Sequence, residues 1–258
     1  MEQKPPSERR PQPRHIPFRK LLGYRRLWPL HEFLATRPHF YYPLFTLMGR
    51  NSARPIRGDT AMVVAAAGGC GNTYARNSVR FYMPDRHFGS HKHMPLEVIQ
   101  AARYNVPCLV IIRNPMDSLS SVVSRGGYKF TPGSLEWALK DYSLFYRVVA
   151  EYSEHYVAAT FQDVVGDFVA VMDRVNAKFG TSYKVPANGS DDYRELRERG
   201  KWREKNRVLT KEGVKQALYH EYYDETREEA LETYRWFSAL HDLPTTEDSF
   251  RPDANAAD

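Results

Sequence analysis

Three stretches of this chain carry residue types and spacings that could do chemistry. The first is Gly68 to Ser78, GGCGNTYARNS. Glycines at 68, 69 and 71 let backbone N–H groups converge on one point without interference from Cβ atoms. A helix starting just after them would aim the positive end of its dipole at the same point, which makes a cradle for a phosphate or sulfate. The second is His91-Lys92-His93-Met94-Pro95. Residues two apart in an extended segment share one face, so the two imidazoles, which titrate near neutrality, would stand together. The third is Arg113-Asn114-Pro115-Met116-Asp117-Ser118-Leu119-Ser120-Ser121. A guanidinium and a hydroxyl at a helix start suit a terminal phosphate monoester. Each stretch also has a plainer reading. Glycine-rich turns also simply reverse a chain, and Arg113 could pair with Asp117. His-x-His, with His87 nearby, is a metal-ligand spacing that lacks an obvious third ligand.

The elements that must position these residues are legible from periodicity. An apolar run, Met62 to Ala67, precedes the glycines, and Val79-Arg80-Phe81-Tyr82 continues at helical spacing beyond them. Pro95 opens a helix from Leu96 to about Tyr104. Cys108 to Ile112 is continuously apolar and rich in β-branched residues, as expected of a strand buried on both faces of a parallel sheet. Asn114 can cap the next helix, with Pro115 at its first position and Asp117 at its third. Arg113 therefore sits at the carboxyl end of a core strand, the edge at which open α/β sheets bind ligands. A long helix is expected from about Ser134 to Glu154, then a short strand, Tyr156 to Thr160, running into Phe161-Gln162-Asp163-Val164. Another helix carries Phe168, Val171, Met172, Val175 and Phe179 and stops at Gly180. Residues 186–206 read as a polar loop with a basic cluster from Arg199 to Arg203, and one final helix spans about Lys211 to Leu240. The fold class expected is α/β: a three-layer domain with a mostly parallel central sheet flanked by helices, like that of P-loop NTPases. ATP is disfavoured, because Ala66 stands at the first Walker A glycine and Asn72 at its lysine, and no carboxylate for a metal sits plainly at a strand end.

The 258 residues suffice for one sizeable core with appendages. Residues 1–17 read as a disordered basic tail, 18–59 as an aromatic strap broken by prolines 29, 38 and 43, 60–243 as the folded domain, and 244–258 as a disordered tail. The strap is expected to pack across the body; the alternative is an arm for peripheral membrane contact. Net charge is +6, but residues 1–60 hold 12 Lys+Arg against 4 Asp+Glu, leaving the remainder slightly acidic. That distribution argues against nucleic acid as a partner. Two cysteines, Cys70 and Cys108, fit a reducing compartment, and no apolar run approaches the roughly 18 residues of a membrane span, so a cytoplasmic location is expected.

Taken in order, about residues 60–240 resemble the sulfotransferases that use 3′-phosphoadenosine 5′-phosphosulfate (PAPS). That family's Pro-Lys/Arg-Ser-Gly-Asn/Thr-Thr loop, which binds the 5′-phosphosulfate, is matched by Gly68 to Thr73. The resemblance thus implies donor contacts at Gly69, Cys70, Gly71, Asn72 and Thr73. The family's following aromatic, which packs on adenine, falls on Tyr74. Its Lys-Thr-His-Leu-Pro segment resembles His91 to Pro95, implying His93 as general base with His91 orienting the acceptor or the sulfuryl oxygens. Its Arg-Asn-Pro-x-Asp-x-x-x-Ser element, which grips the 3′-phosphate, is matched at every fixed position from Arg113 to Ser121. The family's Tyr-Glu-Asp-Leu strand end resembles Phe161 to Val164, and its C-terminal Arg-Lys-Gly…Trp loop is echoed by Arg199 to Trp202. The resemblance implies transfer of a sulfuryl group from PAPS to a hydroxyl or amine of a small-molecule or carbohydrate acceptor, with 3′-phosphoadenosine 5′-phosphate (PAP) as product and no metal. Tyr82, Phe88 and Tyr128 could line the acceptor pocket. Two departures stand out: the family's loop lysine is Gly69 here, and the lysine two before its histidine is His91. Arg76 and Lys92 are the cations that could stand in. The competing functions are a kinase-like phosphotransferase on the same fold and a non-catalytic adaptor that binds a membrane or anionic polymer through residues 1–50.

Overall fold

The computed structural model describes residues 24–48, 55–89, 92–126, 129–200 and 209–246. Strands β1 (Val63–Ala65), β2 (Cys108–Ile112) and β3 (Val157–Thr160) form a parallel sheet in that order. Every strand residue is buried. Alternate residues of a strand face opposite ways, so both faces of the sheet are covered and the domain has three layers. The helices are α1 (Tyr24–Thr36), α2 (Pro38–Leu47), α3 (Asn72–Phe81), α4 (Leu96–Tyr104), α5 (Pro115–Val123), α6 (Pro132–Ala150), α7 (Phe161–Gly166), α8 (Phe168–Phe179), α9 (Asp191–Gly200), α10 (Lys211–Leu218) and α11 (Asp224–Leu240). The expected α/β architecture is the observed one.

Register places the site. Ala65 lies opposite Val110, and Ile112 opposite Thr160, so the carboxyl ends of the three strands sit side by side. From those ends the chain enters α3, α5 and α7. A parallel bridge between Met62 and Phe88 adds a short segment to the other edge of β1. Phe88 is thereby buried in the core, which removes it from the expected acceptor pocket. Helix α6 supplies the largest buried side chains, Tyr142, Phe145 and Tyr146. Two of these also tie α6 to the sheet edge: Tyr146 OH donates to Ile111 O at 2.7 Å and Tyr142 OH to Arg113 O at 2.7 Å.

Five expectations are corrected. Pro29 and Pro43 lie inside α1 and α2 and do not break them. Each forfeits one backbone hydrogen bond, and tertiary packing compensates. Trp28 meets Trp137 edge-on at 4.9 Å, and Tyr41 and Tyr42 pack on Leu96. Within the polar stretch 186–206, residues 191–200 form α9, whose first turn is capped by Ser190 Oγ accepting from Tyr193 N at 3.1 Å and whose Leu196 is buried. The single last helix is two, α10 and α11, separated by a 3₁₀ turn at Glu221–Tyr223 where His220 Nδ1 accepts from Tyr222 N. His93 is not in extended backbone; its φ of 58° is left-handed, turning the chain into α4. Thr246, expected in the disordered C-terminal tail, is instead tied to the body, its N–H donating to Tyr234 OH at 2.7 Å. Residues 1–17 and 247–258 of the expected tails, residues 18–23 and 49–54 of the strap, His91, Tyr128 and Lys201 to Arg203 lie outside the described residues.

Candidate active site

After β1 the chain passes through Ala66–Gly71 before α3 begins. Gly69 and Gly71 have φ of 92° and 91°, a region open to glycine at little cost. Both are also sterically closed to any side chain. A Cβ on Gly69 would lie 2.0 Å from the Ser118 carbonyl oxygen, and one on Gly71 would lie 2.8 Å from Phe161 Cδ2. The turn is clamped to α5 and to β2. Ser118 Oγ donates to Gly68 O at 2.5 Å, and Arg113 Nη1 donates to Gly69 O at 3.3 Å. Cys70 Sγ lies 3.2 Å from Ser118 Oγ and 3.4 Å from Tyr146 OH. Burial raises the Cys70 thiol pKa, against the smaller effect of those hydrogen bonds. The Cys70 side chain is therefore an anchor in the core, and only its backbone is available to an anion. Asn72 opens α3, where the first-turn amides have no intrahelical acceptor and the dipole is positive.

Arg113 leaves β2 beside this turn. Its guanidinium carbon lies 4.0 Å from the centroid of the Phe161 ring, and its Nε is buried without a hydrogen-bond partner. Buried donors are nearly always paired, so such an atom fits an anionic guest. Asn114 caps α5 as expected, its Oδ1 accepting from Met116 N at 2.9 Å, while its Nδ2 donates to Thr246 O. Asp117 pairs with Lys215 at 2.7 Å. The ion-pair reading of Arg113 with Asp117 is thus superseded. Ser121 is buried on α5 one turn beyond Ser118, and the residue that touches the loop is Ser118, which the motif leaves unspecified.

Around the rim, Thr73 and Tyr74 are half-buried, and Tyr74 leans on Phe168 of α8 at 6.2 Å between centroids. Lys92 lies over the Tyr41 and Tyr42 rings, and both it and Arg76 feel the buried carboxylate of Glu97. Burial lowers the pKa of both cations. Tyr82 is exposed and bonded to Asp192 of α9. Arg199 lies in the last turn of α9, and its side chain is outside the described set. Among the described residues no cluster of His, Cys, Asp and Glu is placed to hold a metal ion.

His93 faces a narrow cleft shared with Ala67, Gly68, Leu119, Asp141 and Tyr142. Its Nδ1 is 3.1 Å from Ala66 O and 2.9 Å from Asn72 Nδ2. When Nδ1 carries the proton and donates to Ala66 O, Nε2 holds the lone pair and can act as a base. When Asn72 donates to Nδ1, the proton moves to Nε2 and that capacity is lost. Burial lowers the His93 pKa; the Ala66 carbonyl and the Asp141 carboxylate work against this, and Arg125 adds to it. Asp141 in turn accepts from His31 Nε2 of α1 at 2.6 Å, with His31 8% and Asp141 12% exposed. Sequence reasoning missed His31, Asp141, Arg125 and Ser118. The one local hint was Asp141, a carboxylate set among Trp137, Ala138, Tyr142 and Phe145 on α6.

The shift has a measurable consequence. A histidine whose folded pKa is depressed makes the folded state bind fewer protons than the unfolded state, so stability is complete above about pH 6.5 and falls as pH drops toward the folded value. His93→Asn keeps a residue type that tolerates the left-handed backbone. Acidification from about pH 7.5 to about pH 5 should therefore cost the parent more unfolding free energy than the variant. Urea titrations at both pH values check this. Parallel losses in the two proteins would mean that His93 titrates as it does in the unfolded chain.

No protein-family model matches the chain. No curated protein matches its sequence. Among solved structures, mouse sulfotransferase SULT7A1 complexed with PAP is similar at a TM-score of 0.43 and 14% identity, covering 76% of this chain and 92% of that one.

Proposed function

We propose that residues 60–243 form a sulfotransferase body that binds PAPS and sulfates a hydroxyl or amine of a small-molecule or carbohydrate acceptor. The observation that carries this reading is the anion cradle at the sheet's carboxyl edge. Two left-handed glycines are packed against Ser118 and Phe161, beside an arginine whose buried Nε has no partner, and His93 lies across the same loop. The backbone of Gly69 to Thr73 and the start of α3 would hold the 5′-phosphosulfate end. Arg113 and Ser121 would hold the 3′-phosphate, and Tyr74 and Phe161 would flank the nucleotide. Bound PAPS supplies an electrophilic sulfuryl group and a phosphate leaving group. His93, protonated on Nδ1 toward Ala66, takes the acceptor's proton at Nε2. Loop amides and the helix dipole stabilise charge at the leaving end, where the family has a lysine and this chain has Gly69. A kinase-like reading is weaker, since Asn72 is buried and bonded to His93 at the place a Walker lysine would occupy.

Thermal unfolding with PAP and with ATP tests the proposal. A specific ligand at a hundred times its Kd adds about 2.7 kcal/mol to stability. PAP should raise the melting temperature by several degrees and ATP at equal concentration by much less. An equal rise with ATP, or none with PAP, removes the reading.

A further inference from the structure

Helices α1 and α2 bury one face on α6 and α4 and leave the other apolar. Leu30 and Phe33 of α1, Phe40, Leu44 and Leu47 of α2, and the following Met48 are all exposed, Phe40 at 58% and Leu47 at 86%. Leu30 and Phe33 are three apart, and Phe40, Leu44 and Leu47 recur at helical spacing, so each set lies along one face. The Phe33 and Phe40 rings meet at 5.3 Å, joining the two sets into one stripe. Its border is basic. The exposed Arg37 guanidinium sits 4.5 Å over the Phe33 ring, and Arg103 Nη1 lies 2.7 Å from His39 Nε2. Residues 24–48 contain three arginines and a single carboxylate, Glu32, and residues 1–23 add 6 Lys+Arg against 2 Asp+Glu.

We propose that this stripe docks the protein on an anionic lipid surface. Surface-lying helices with Phe and Leu on the outer face and arginines along the border insert the apolar residues at the headgroup boundary while the cations meet lipid phosphates. The scarcity of carboxylates is the charge complement of such a surface. Nothing in the inference depends on nucleotide binding, so it stands or falls apart from the sulfotransferase reading.

Flotation of the full-length protein with phosphatidylcholine vesicles, plain or doped with phosphatidylserine, tests it. The parent should float with the anionic vesicles at low salt, less at high salt, and hardly at all with plain ones. The double variant Phe40→Ser/Leu47→Ser, altered only at exposed positions, should keep its melting temperature and lose on the order of tenfold in partitioning. Failure of the parent to float with anionic vesicles would overturn the proposal, as would undiminished flotation of the double variant. Flotation abolished by Arg9→Gln/Arg10→Gln/Arg14→Gln but kept by the double variant would assign binding to the N-terminal basic run and overturn it too. Self-association on sizing columns that the double variant abolishes would assign the stripe to a second copy of the chain, and the lipid proposal would fall.

Discussion

Replacing Gly69 by alanine should cost at least about 3 kcal/mol of stability. Two independent penalties meet at this position. A non-glycine residue held at φ 92° carries backbone strain of about 1–3 kcal/mol. The new methyl would also start 2.0 Å from the Ser118 carbonyl oxygen, well inside contact distance. Ser118 has no room to yield: it is fully buried, lies inside α5, and is pinned through its own hydroxyl to Gly68. Moving that carbonyl means moving the helix that Asn114 caps, and with it Arg113. Gly58→Ala is the control, since a Cβ there meets nothing within 4 Å, and it should change stability by less than about 0.5 kcal/mol. Denaturant titration of both variants decides the matter. Gly69→Ala with the stability of the parent would show that the turn is not clamped as described. Gly69→Lys should fare no better, because its Cβ meets the same oxygen. Any side chain at position 69 is thus excluded by the geometry of this loop.

How much of this was legible in the sequence depended on distance along the chain. The run from Cys108 to Asp117 was legible because strand, cap and first helical residue are contiguous, and each follows from local backbone preference. Gly69 and Gly71 were legible as a turn, but their partners Ser118 and Phe161 were not, since no local pattern reports what a glycine packs against. Asp141 and His31 are 110 residues apart, and neither has a sequence neighbour that announces the other. The prolines at 29 and 43 misled for the converse reason: local preference favours a break, and packing on Trp137 and Leu96 outweighs it. His93 was singled out as a candidate base and lies in the cleft beside the glycine turn, but its left-handed backbone was not expected. A left-handed residue ahead of Met94-Pro95 leaves no mark when the residue is not glycine.

Arg113→Ala should weaken PAP binding by roughly a hundredfold to ten-thousandfold while leaving the fold largely intact. Charge-assisted hydrogen bonds contribute about 1.5–3 kcal/mol each, and a guanidinium on a phosphate commonly makes two. The folded state has less at stake. The truncation removes a cation–π contact with Phe161 and one bond to Gly69 O, together about 1–3 kcal/mol, and also removes a buried Nε that has no partner. Affinity for PAP alone would not separate a lost phosphate contact from a loosened loop. AMP, which lacks the 3′-phosphate, makes the separation. The parent should bind PAP much more tightly than AMP, and Arg113→Ala should bind the two almost equally, with AMP affinity close to that of the parent. Arg113→Lys keeps the charge without the planar fork and should recover only part of the preference. Calorimetric titrations with both nucleotides read this directly. A variant that still favours PAP over AMP by the parental ratio would place the 3′-phosphate elsewhere. Equal losses for PAP and AMP would instead make Arg113 a support for the Gly69 turn, acting on whatever the loop holds.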